Sequence, residues 1–130
     1  MASDTKHIVL GMGSSSGVSF GELVSLGDRV LASAGVTKPD IIATLDTKQS
    51  EPVWLVLAEH YGCSLCFFTA GRLEEETSRI KNPSEAVFSA IGCHGVAESA
   101  ALAAAGPDAF LMVEKTVDGR VTAALAVTRV

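Results

Sequence analysis

The chain has 130 residues, of which 48% are hydrophobic and 19% charged, and its formal net charge is −5. These values are typical of one globular domain and exclude a disordered chain. The sequence contains no cluster of lysine or arginine residues, so we predict no nucleic-acid partner. An odd number of cysteines argues against a disulfide framework. No apolar run approaches the ~18 residues that span a bilayer, and none forms the apolar core of a signal peptide. We therefore expect a cytoplasmic protein.

The first half of the chain alternates buried strands with helices. Residues 8–10 form a continuous apolar run, which is typical of a strand covered on both faces. Ser19 and Glu22 have the spacing of a helix capping box, and Pro52 occupies the first turn of a second helix, where proline is favoured. The predicted elements are strands 7–12, 40–45 and 65–68, and helices that run from Ser19 to Gly35 and from Glu51 to Gly62.

The second half contains more helix and ends in a hairpin. Asn82 and Pro83 break the chain, and Asp118-Gly119 between alternating residues indicates a tight β-turn. The predicted elements are helices 70–78, 84–88 and 96–105, strand 109–114, turn 117–120 and strand 121–129. We therefore predict one α/β domain over residues 1–130: a three-layer αβα fold with a mostly parallel central sheet and a C-terminal antiparallel β-hairpin.

Two glycine-punctuated segments, residues 11–17 and 92–95, each lead into a helix. In open α/β sheets, ligands bind beyond the carboxyl ends of the strands, and the amides at a helix start favour anions. We therefore predict a small-anion site between these segments and the loop after the second strand, with hydroxyl donors from Ser14, Ser15 and Ser16. The first segment has one residue too many for a dinucleotide fingerprint, and an ordinary tight turn is the alternative.

Four side chains near these loops carry charge or can exchange protons. Lys48 would neutralise a carboxylate or donate a proton; the alternative is a solvated ion pair in its loop. Glu98, in the first turn of the alanine-rich helix, would be a general base or ligand acceptor, and otherwise a partner of the helix dipole. His94 would be a proton-transfer group or a hydrogen-bonding loop residue. Lys115 closes the fourth strand and is expected to point to the same edge.

The cysteines suggest two further alternatives. Cys63 and Cys66 have redox spacing, but they lead into a strand and not into a helix, whose dipole would lower a thiol pKa. His60 extends the pattern toward a zinc site, which would need Cys93 or His94 to complete four ligands. Core and edge thiols are the favoured interpretation, and we predict no metal and no cofactor.

Several ordered motifs together resemble a known family. They are Gly11-Met12-Gly13 with Gly17, residues 43–52 (ATLDTKQSEP), residues 82–87 (NPSEAV), residues 92–98 (GCHGVAE), Lys115 and residues 122–126 (TAALA). In their order and spacing the chain resembles the CobE family, which is also the C-terminal domain of CbiG, both of cobalamin (vitamin B12) biosynthesis. One departure is visible: Ser14-Ser15 stand where the family usually has Cys-Arg, which removes a bidentate carboxylate partner.

The resemblance implies work on a precorrin, a tetrapyrrole of porphyrin metabolism that carries many carboxylates. The first hypothesis is a binding protein that carries or hands on this intermediate. The alternative is a hydrolase that opens the ring lactone of a (cobalt-)precorrin and releases acetaldehyde. The third is a regulatory or assembly subunit. Other enzymes of the pathway and a second copy of the chain, as a homodimer, are the candidate protein partners.

These hypotheses assign roles to specific positions. Catalysis would use Glu98, His94 and Lys48. The predicted ligand-binding residues are Gly11, Gly13, Ser14, Ser15, Gly17, Thr44, Asp46, Lys48, Glu51, Gly92, Gly95, Val96, Glu98 and Lys115. All of them depend on one geometric condition: the turns after the first two strands and the start of the alanine-rich helix must face one another.

Overall fold

The computed structural model describes residues 7–128, which build a central five-stranded sheet. Its strands are β1 (Ile8–Ser14), β2 (Ile41–Leu45), β3 (Ser64–Phe68), β4 (Phe110–Asp118) and β5 (Val121–Val127), in the order β3-β2-β1-β5-β4. β1 and β3 each pair with β2 in parallel, whereas β5 is antiparallel to both β1 and β4. Only β5 therefore runs against the other strands, and the carboxyl ends of β1, β2, β3 and β4 meet at one edge.

Helices cover both faces of the sheet. They are α1 (Phe20–Ser33), α2 (Val53–Tyr61), α3 (Ala70–Glu74), α4 (Glu85–Ile91) and α5 (Ala97–Ala105), with 3-10 helices at Asp46–Ser50 and Thr77–Arg79. One apolar core lies between the sheet and α1 with α2, and a second lies between the sheet and α5 with α3. The predicted three-layer αβα fold, with its mostly parallel sheet and terminal hairpin, is confirmed.

Local sequence patterns correctly predicted where several helices begin and end. Ser19 caps α1: its Oγ accepts from the Glu22 amide at 3.1 Å, and the Glu22 carboxylate accepts from the Ser19 amide at 3.0 Å. Gly62 ends α2 in the left-handed conformation with φ of 66°, which glycine adopts without steric cost. The predicted helix starts near Ser19 and Pro52 are therefore confirmed to within one or two residues.

Other boundaries differ from the prediction. β1 continues through Gly13 and Ser14, because they pair with Thr122 and Val121 of β5 and so do not begin a loop. The predicted helix 70–78 is α3 followed by a separate 3-10 helix, and the predicted loop 46–50 is also a 3-10 helix. β4 extends beyond the predicted strand to Asp118. Residues 1–6 and the end of the predicted last strand at Arg129 lie outside the described residues.

Helix α5 packs unusually close to β1 and is fixed at its C-terminal end. A Cβ atom on Gly11 would overlap the carbonyl oxygen of Ala97 and lie 2.7 Å from the amide nitrogen of Ala101, so only glycine allows this approach. At the far end, the Arg79 guanidinium donates to the carbonyl oxygens of Leu102 and Gly106. These contacts place the first turn of α5 at the carboxyl edge of the sheet.

The cysteines do not form one site. Cys63 packs against the core under α1 and α2, whereas Cys66 packs against the core under α5, so β3 separates the two thiols. Burial raises the pKa of the Cys63 thiol, which disfavours a reactive thiolate. Within residues 7–128, no three His, Cys, Asp or Glu side chains are grouped so that they could hold a metal ion. No helix in this part of the chain is long and apolar enough to cross a membrane.

Candidate functional site

Two adjoining cavities form a cleft at the carboxyl edge of the sheet. One has a volume of about 190 Å³ and lies between the start of α5, α4 and β4. The other has a volume of about 260 Å³ and lies beside residues 14–16 and Lys48. Gly13, Ser14, Ile91 and Val96 line both cavities. The turns after β1 and β2 and the start of α5 therefore face one another, as the sequence analysis required.

The cleft brings together eight of the residues that the sequence singled out as ligand-binding. They are Gly13, Ser14, Ser15, Lys48, Gly95, Val96, Glu98 and Lys115. A Cβ atom on Gly13 would lie 3.0 Å from Thr122 Oγ1 and 3.2 Å from Val96 Cβ, so glycine lets the floor of the cleft close tightly. No side chain caps α5 at its N-cap residue Val96, and Val96 and Ala97 line the first cavity. The start of this helix therefore faces the cleft without a capping group.

Glu98 is the most highly connected side chain of the cleft. It is 2% exposed, and its Oε1 accepts hydrogen bonds from the amides of Lys81 and Asn82 at 3.0 and 2.9 Å. Its Oε2 accepts from Asn82 Nδ2 and from the Lys115 amide, both at 2.9 Å. Burial would raise the pKa of this carboxyl, but the four hydrogen bonds outweigh burial and lower it. The contacts favour an anchoring carboxylate over a general base, a role that stays a prediction.

Lys48 and Ser14 are two polar groups of the second cavity with unused bonding capacity. The Lys48 side chain is 8% exposed, and its Nζ lies 3.6 Å from Glu51 Oε2, farther than in a strong charged hydrogen bond. Ser14 Oγ is buried and has no hydrogen-bond partner among the described residues. Buried polar groups without partners are rare in proteins. Both groups are therefore suited to a ligand with acceptor oxygens.

Lys115 lies at an irregularity of β4. The pairing of β4 with β5 shifts register between Val113 and Thr116, which frees the Lys115 amide to bind Glu98. β-Bulges of this kind redirect a side chain, and Lys115 lines the first cavity. On the other side of the cavity, Val87 and Ile91 of α4 form an apolar wall. The first cavity thus combines the Lys115 cation and an apolar surface with the Glu98 carboxylate, whose oxygens are already hydrogen-bonded within the chain.

His94 lies outside both cavities. Its Nδ1 is 2.9 Å from Glu74 Oε2, its Nε2 is 3.1 Å from Glu85 Oε2, and its ring stacks on Phe88. The hydrogen bond with Glu74 and the charge of Glu85 raise the pKa of His94 against a smaller effect of burial. The ring therefore ties α4 to α3, and its predicted part in proton transfer is not supported by a position in the cleft.

Six other predicted binding residues also line neither cavity: Gly11, Gly17, Thr44, Asp46, Glu51 and Gly92. Thr44 is fully buried and donates to the Met12 carbonyl at 2.7 Å, which joins the ends of β1 and β2. Gly17 and Gly92 have positive φ and shape turns. Thr44, Gly17 and Gly92 therefore shape the cleft from outside its lining. Ser15 does line the second cavity, but its amide donates to the Arg120 carbonyl.

Part of the lining was not predicted from the sequence. Asn82, Val87, Ile91 and Thr122 line the first cavity but were not predicted. Asn82 and Val87 belong to the motif at residues 82–87, which contributed to the family resemblance and so could have been carried into the site. Ile91 lies one helical turn beyond Val87, and only the packing of α4 over the cleft shows its place.

Comparison with known proteins shows the family of this chain. The family model described as Cobalamin synthesis G C-terminus matches residues 8–126. The Protein CobE of Sinorhizobium sp is 46% identical over 121 residues, covering 92% of this chain and 79% of that protein. The cobalt-precorrin-5A hydrolase of Priestia megaterium is 29% identical over 123 residues, which are 93% of this chain but only 32% of that enzyme.

Solved structures are also similar. The crystal structure of CobE, a protein from the cobalamin biosynthetic pathway, matches with a TM-score of 0.87 and 33% identity, covering 94% of this chain and 93% of that one. The cobalamin biosynthesis protein chiG from Agrobacterium tumefaciens matches with a TM-score of 0.71 and 30% identity, covering 92% and 96%. The chain thus belongs to the cobalamin synthesis G C-terminus family and takes part in cobalamin biosynthesis.

Proposed function

We propose that this protein binds a precorrin-type intermediate of cobalamin biosynthesis in the cleft, as a carrier or accessory factor in the cytoplasm. The observation that carries the proposal is the composition of the cleft. Lys48 and Lys115 lie at its two cavities, and an apolar surface of Val87, Ile91 and Val96 lies between them. Ser14 lines both cavities, and its Oγ has no hydrogen-bond partner among the described residues. A precorrin presents the matching surface, because carboxylates surround its apolar ring.

The size of the cleft favours binding over enclosed catalysis. Pockets that enclose a drug-sized ligand have volumes of ~300–1,000 Å³. The two cavities, of about 190 and 260 Å³, together reach only the lower part of this range, and a tetrapyrrole is larger than a typical drug-sized ligand. A tetrapyrrole would therefore dock along the cleft with much of its ring exposed. An exposed ring is accessible to a following enzyme, which is what a carrier requires.

Titration with a purified precorrin, followed by visible absorbance and co-elution, tests the proposal. Binding should change the ring spectrum. Lys48→Ala should weaken binding by ~1.5–3 kcal/mol, the value of a hydrogen bond to a charged group. Lys38→Ala is the matched control: Lys38 is exposed and precedes β2, so it lies at the opposite edge of the sheet. An unchanged spectrum without co-elution would reject binding, and equal dissociation constants would reject the role of Lys48.

The alternative is the hydrolase reaction, which the likeness to a cobalt-precorrin-5A hydrolase brings into consideration. Lactone opening needs a base at the cleft, yet Glu98 already accepts four hydrogen bonds and His94 lies outside both cavities. An assay for acetaldehyde release discriminates the two functions. Release by the wild type that is lost in folded Glu98→Gln would favour hydrolysis, and binding without release favours the carrier.

A further inference from the structure

Lys48 and Lys115 stand at opposite ends of one cleft. Lys48 follows β2 and Lys115 lies on β4, and β1 and β5 lie between these two strands in the sheet. Neighbouring strands are ~4.8 Å apart, so three spacings separate β2 from β4 by ~14 Å. Each lysine lines only one of the two cavities, which adjoin at Gly13, Ser14, Ile91 and Val96.

The Lys48 and Lys115 ammonium groups have different surroundings, but both can form further ion pairs or hydrogen bonds. Lys48 is nearly buried and has a long contact with Glu51, as described above. The Lys115 ammonium has no ion pair or hydrogen bond among residues 7–128, since only its backbone amide contacts Glu98. The Glu98 charge is distributed over four donors, none of which is a lysine ammonium. Both lysines can therefore receive an anionic group from outside the chain.

The surface between the two lysines is mostly apolar. Ile91 and Val96 line both cavities, and Val87 extends this surface toward Lys115. A single carboxylate would satisfy one lysine and leave the other unused. A ligand with anionic groups on opposite sides of an apolar body would reach both at once.

We propose that the cleft selects ligands by the separation of their anionic groups: two carboxylates on opposite sides of a flat apolar body, one at Lys48 and one at Lys115. This inference rests on the proposed function and narrows it. Ligands with carboxylates along one edge only bind through one lysine. Intermediates in which the distant carboxylates have been converted to amides bind more weakly, because an amide does not neutralise an ammonium charge.

Two stable porphyrins test the separation rule. Coproporphyrin III carries a propionate on every pyrrole ring, whereas mesoporphyrin IX has its propionates on neighbouring rings, at one edge. Fluorescence titration should show ~10-fold tighter binding of coproporphyrin III to the wild type, since one more charged contact forms. Lys48→Met and Lys115→Met should each remove most of this preference, because mesoporphyrin IX turns to the remaining lysine. Lys38→Met, the charge-matched control, should leave both affinities unchanged.

The results separate this inference from the proposed function. Three outcomes each overturn the separation rule. In the first two, the wild type binds the two porphyrins with equal affinity or binds neither of them. In the third, each lysine variant weakens the binding of both porphyrins by the same factor. A precorrin that binds the wild type and the double lysine variant equally also overturns the rule but leaves the carrier function standing. Only failure of the precorrin itself to bind rejects both.

Discussion

Replacing Glu98 with glutamine should destabilise the whole fold. Glutamine keeps one acceptor oxygen but turns the other into an amide that points at the two donors bound by Oε2, Asn82 Nδ2 and the Lys115 amide. The two charge-assisted hydrogen bonds at Oε2 are lost. The two at Oε1, from the amides of Lys81 and Asn82, become hydrogen bonds to a neutral oxygen. With ~1.5–3 kcal/mol for each charged bond and ~1 kcal/mol for a neutral one, the free energy of unfolding should fall by ~4 kcal/mol or more.

Chemical denaturation followed by circular dichroism measures this loss, and Glu114→Gln provides a control. Glu114 is exposed and contacts the same Asn82 Nδ2 at 3.3 Å, so its neutralisation should change the free energy of unfolding by less than ~0.5 kcal/mol. A loss below ~1 kcal/mol for Glu98→Gln would refute the anchoring role. It would return Glu98 to its predicted role as a base, whose neutralisation removes activity and leaves the fold intact.

The pH dependence of stability has a defined sign at Glu98. The folded-state pKa lies below the ordinary value because the hydrogen bonds favour the carboxylate. The stabilisation is therefore fully present above the unfolded pKa of ~4.3 and is lost as the pH falls through the folded value. Acid titration of the wild type should show this loss, and Glu98→Gln should show a weaker dependence in the same range.

Two further predictions concern α5 and α4. Gly11→Ala should lower the free energy of unfolding by ~2–3 kcal/mol or more, because the new methyl group overlaps Ala97; Gly21→Ala in α1, where no such overlap exists, should be neutral or stabilising, and an equal effect of both would refute the packing argument. The contacts with Glu74 and Glu85 raise the pKa of His94 in the folded state. The charged interaction between His94 and Glu85 is therefore fully present below pH ~6.5, the unfolded pKa, and weakens as the pH rises through the folded-state pKa. Hydrogen exchange should therefore show α4 amides losing protection at high pH in the wild type but not in His94→Gln, and identical profiles would contradict this role.

Sequence patterns predicted those structural features that depend only on residues close together in the sequence. The capping box of Ser19 with Glu22 and the left-handed Gly62 are local signals, and both set helix ends correctly. The continuation of β1 through Gly13 was not predictable in this way, because its cause is pairing with Thr122, more than a hundred residues away in sequence. Glycine in a strand looks like a loop until its distant partner is known.

The edge of the sheet that carries the cleft could be predicted from the sequence, whereas the contacts of its side chains could not. The rule that ligands bind beyond the carboxyl ends of strands pointed to this edge, because it depends only on strand direction. That a ligand binds there stays a prediction. The state of each side chain depends on contacts between distant segments. Glu98 is saturated by residues 81, 82 and 115, and His94 is occupied by Glu74 and Glu85. No spacing rule in the sequence indicates such contacts.

The two walls of the cleft differ in how firmly they are held. α5 is fixed by Glu98 at its start, by Arg79 at its end and by its close packing on Gly11. α4 has no buried residue, exposes Phe88 and Ile91, and is tied through the ring of His94 to Glu74 and Glu85. A wall with few buried contacts is expected to open at a lower free-energy cost than a well-packed one. Opening at α4 would let a broad ring enter and leave the cleft, as the proposed carrier function requires.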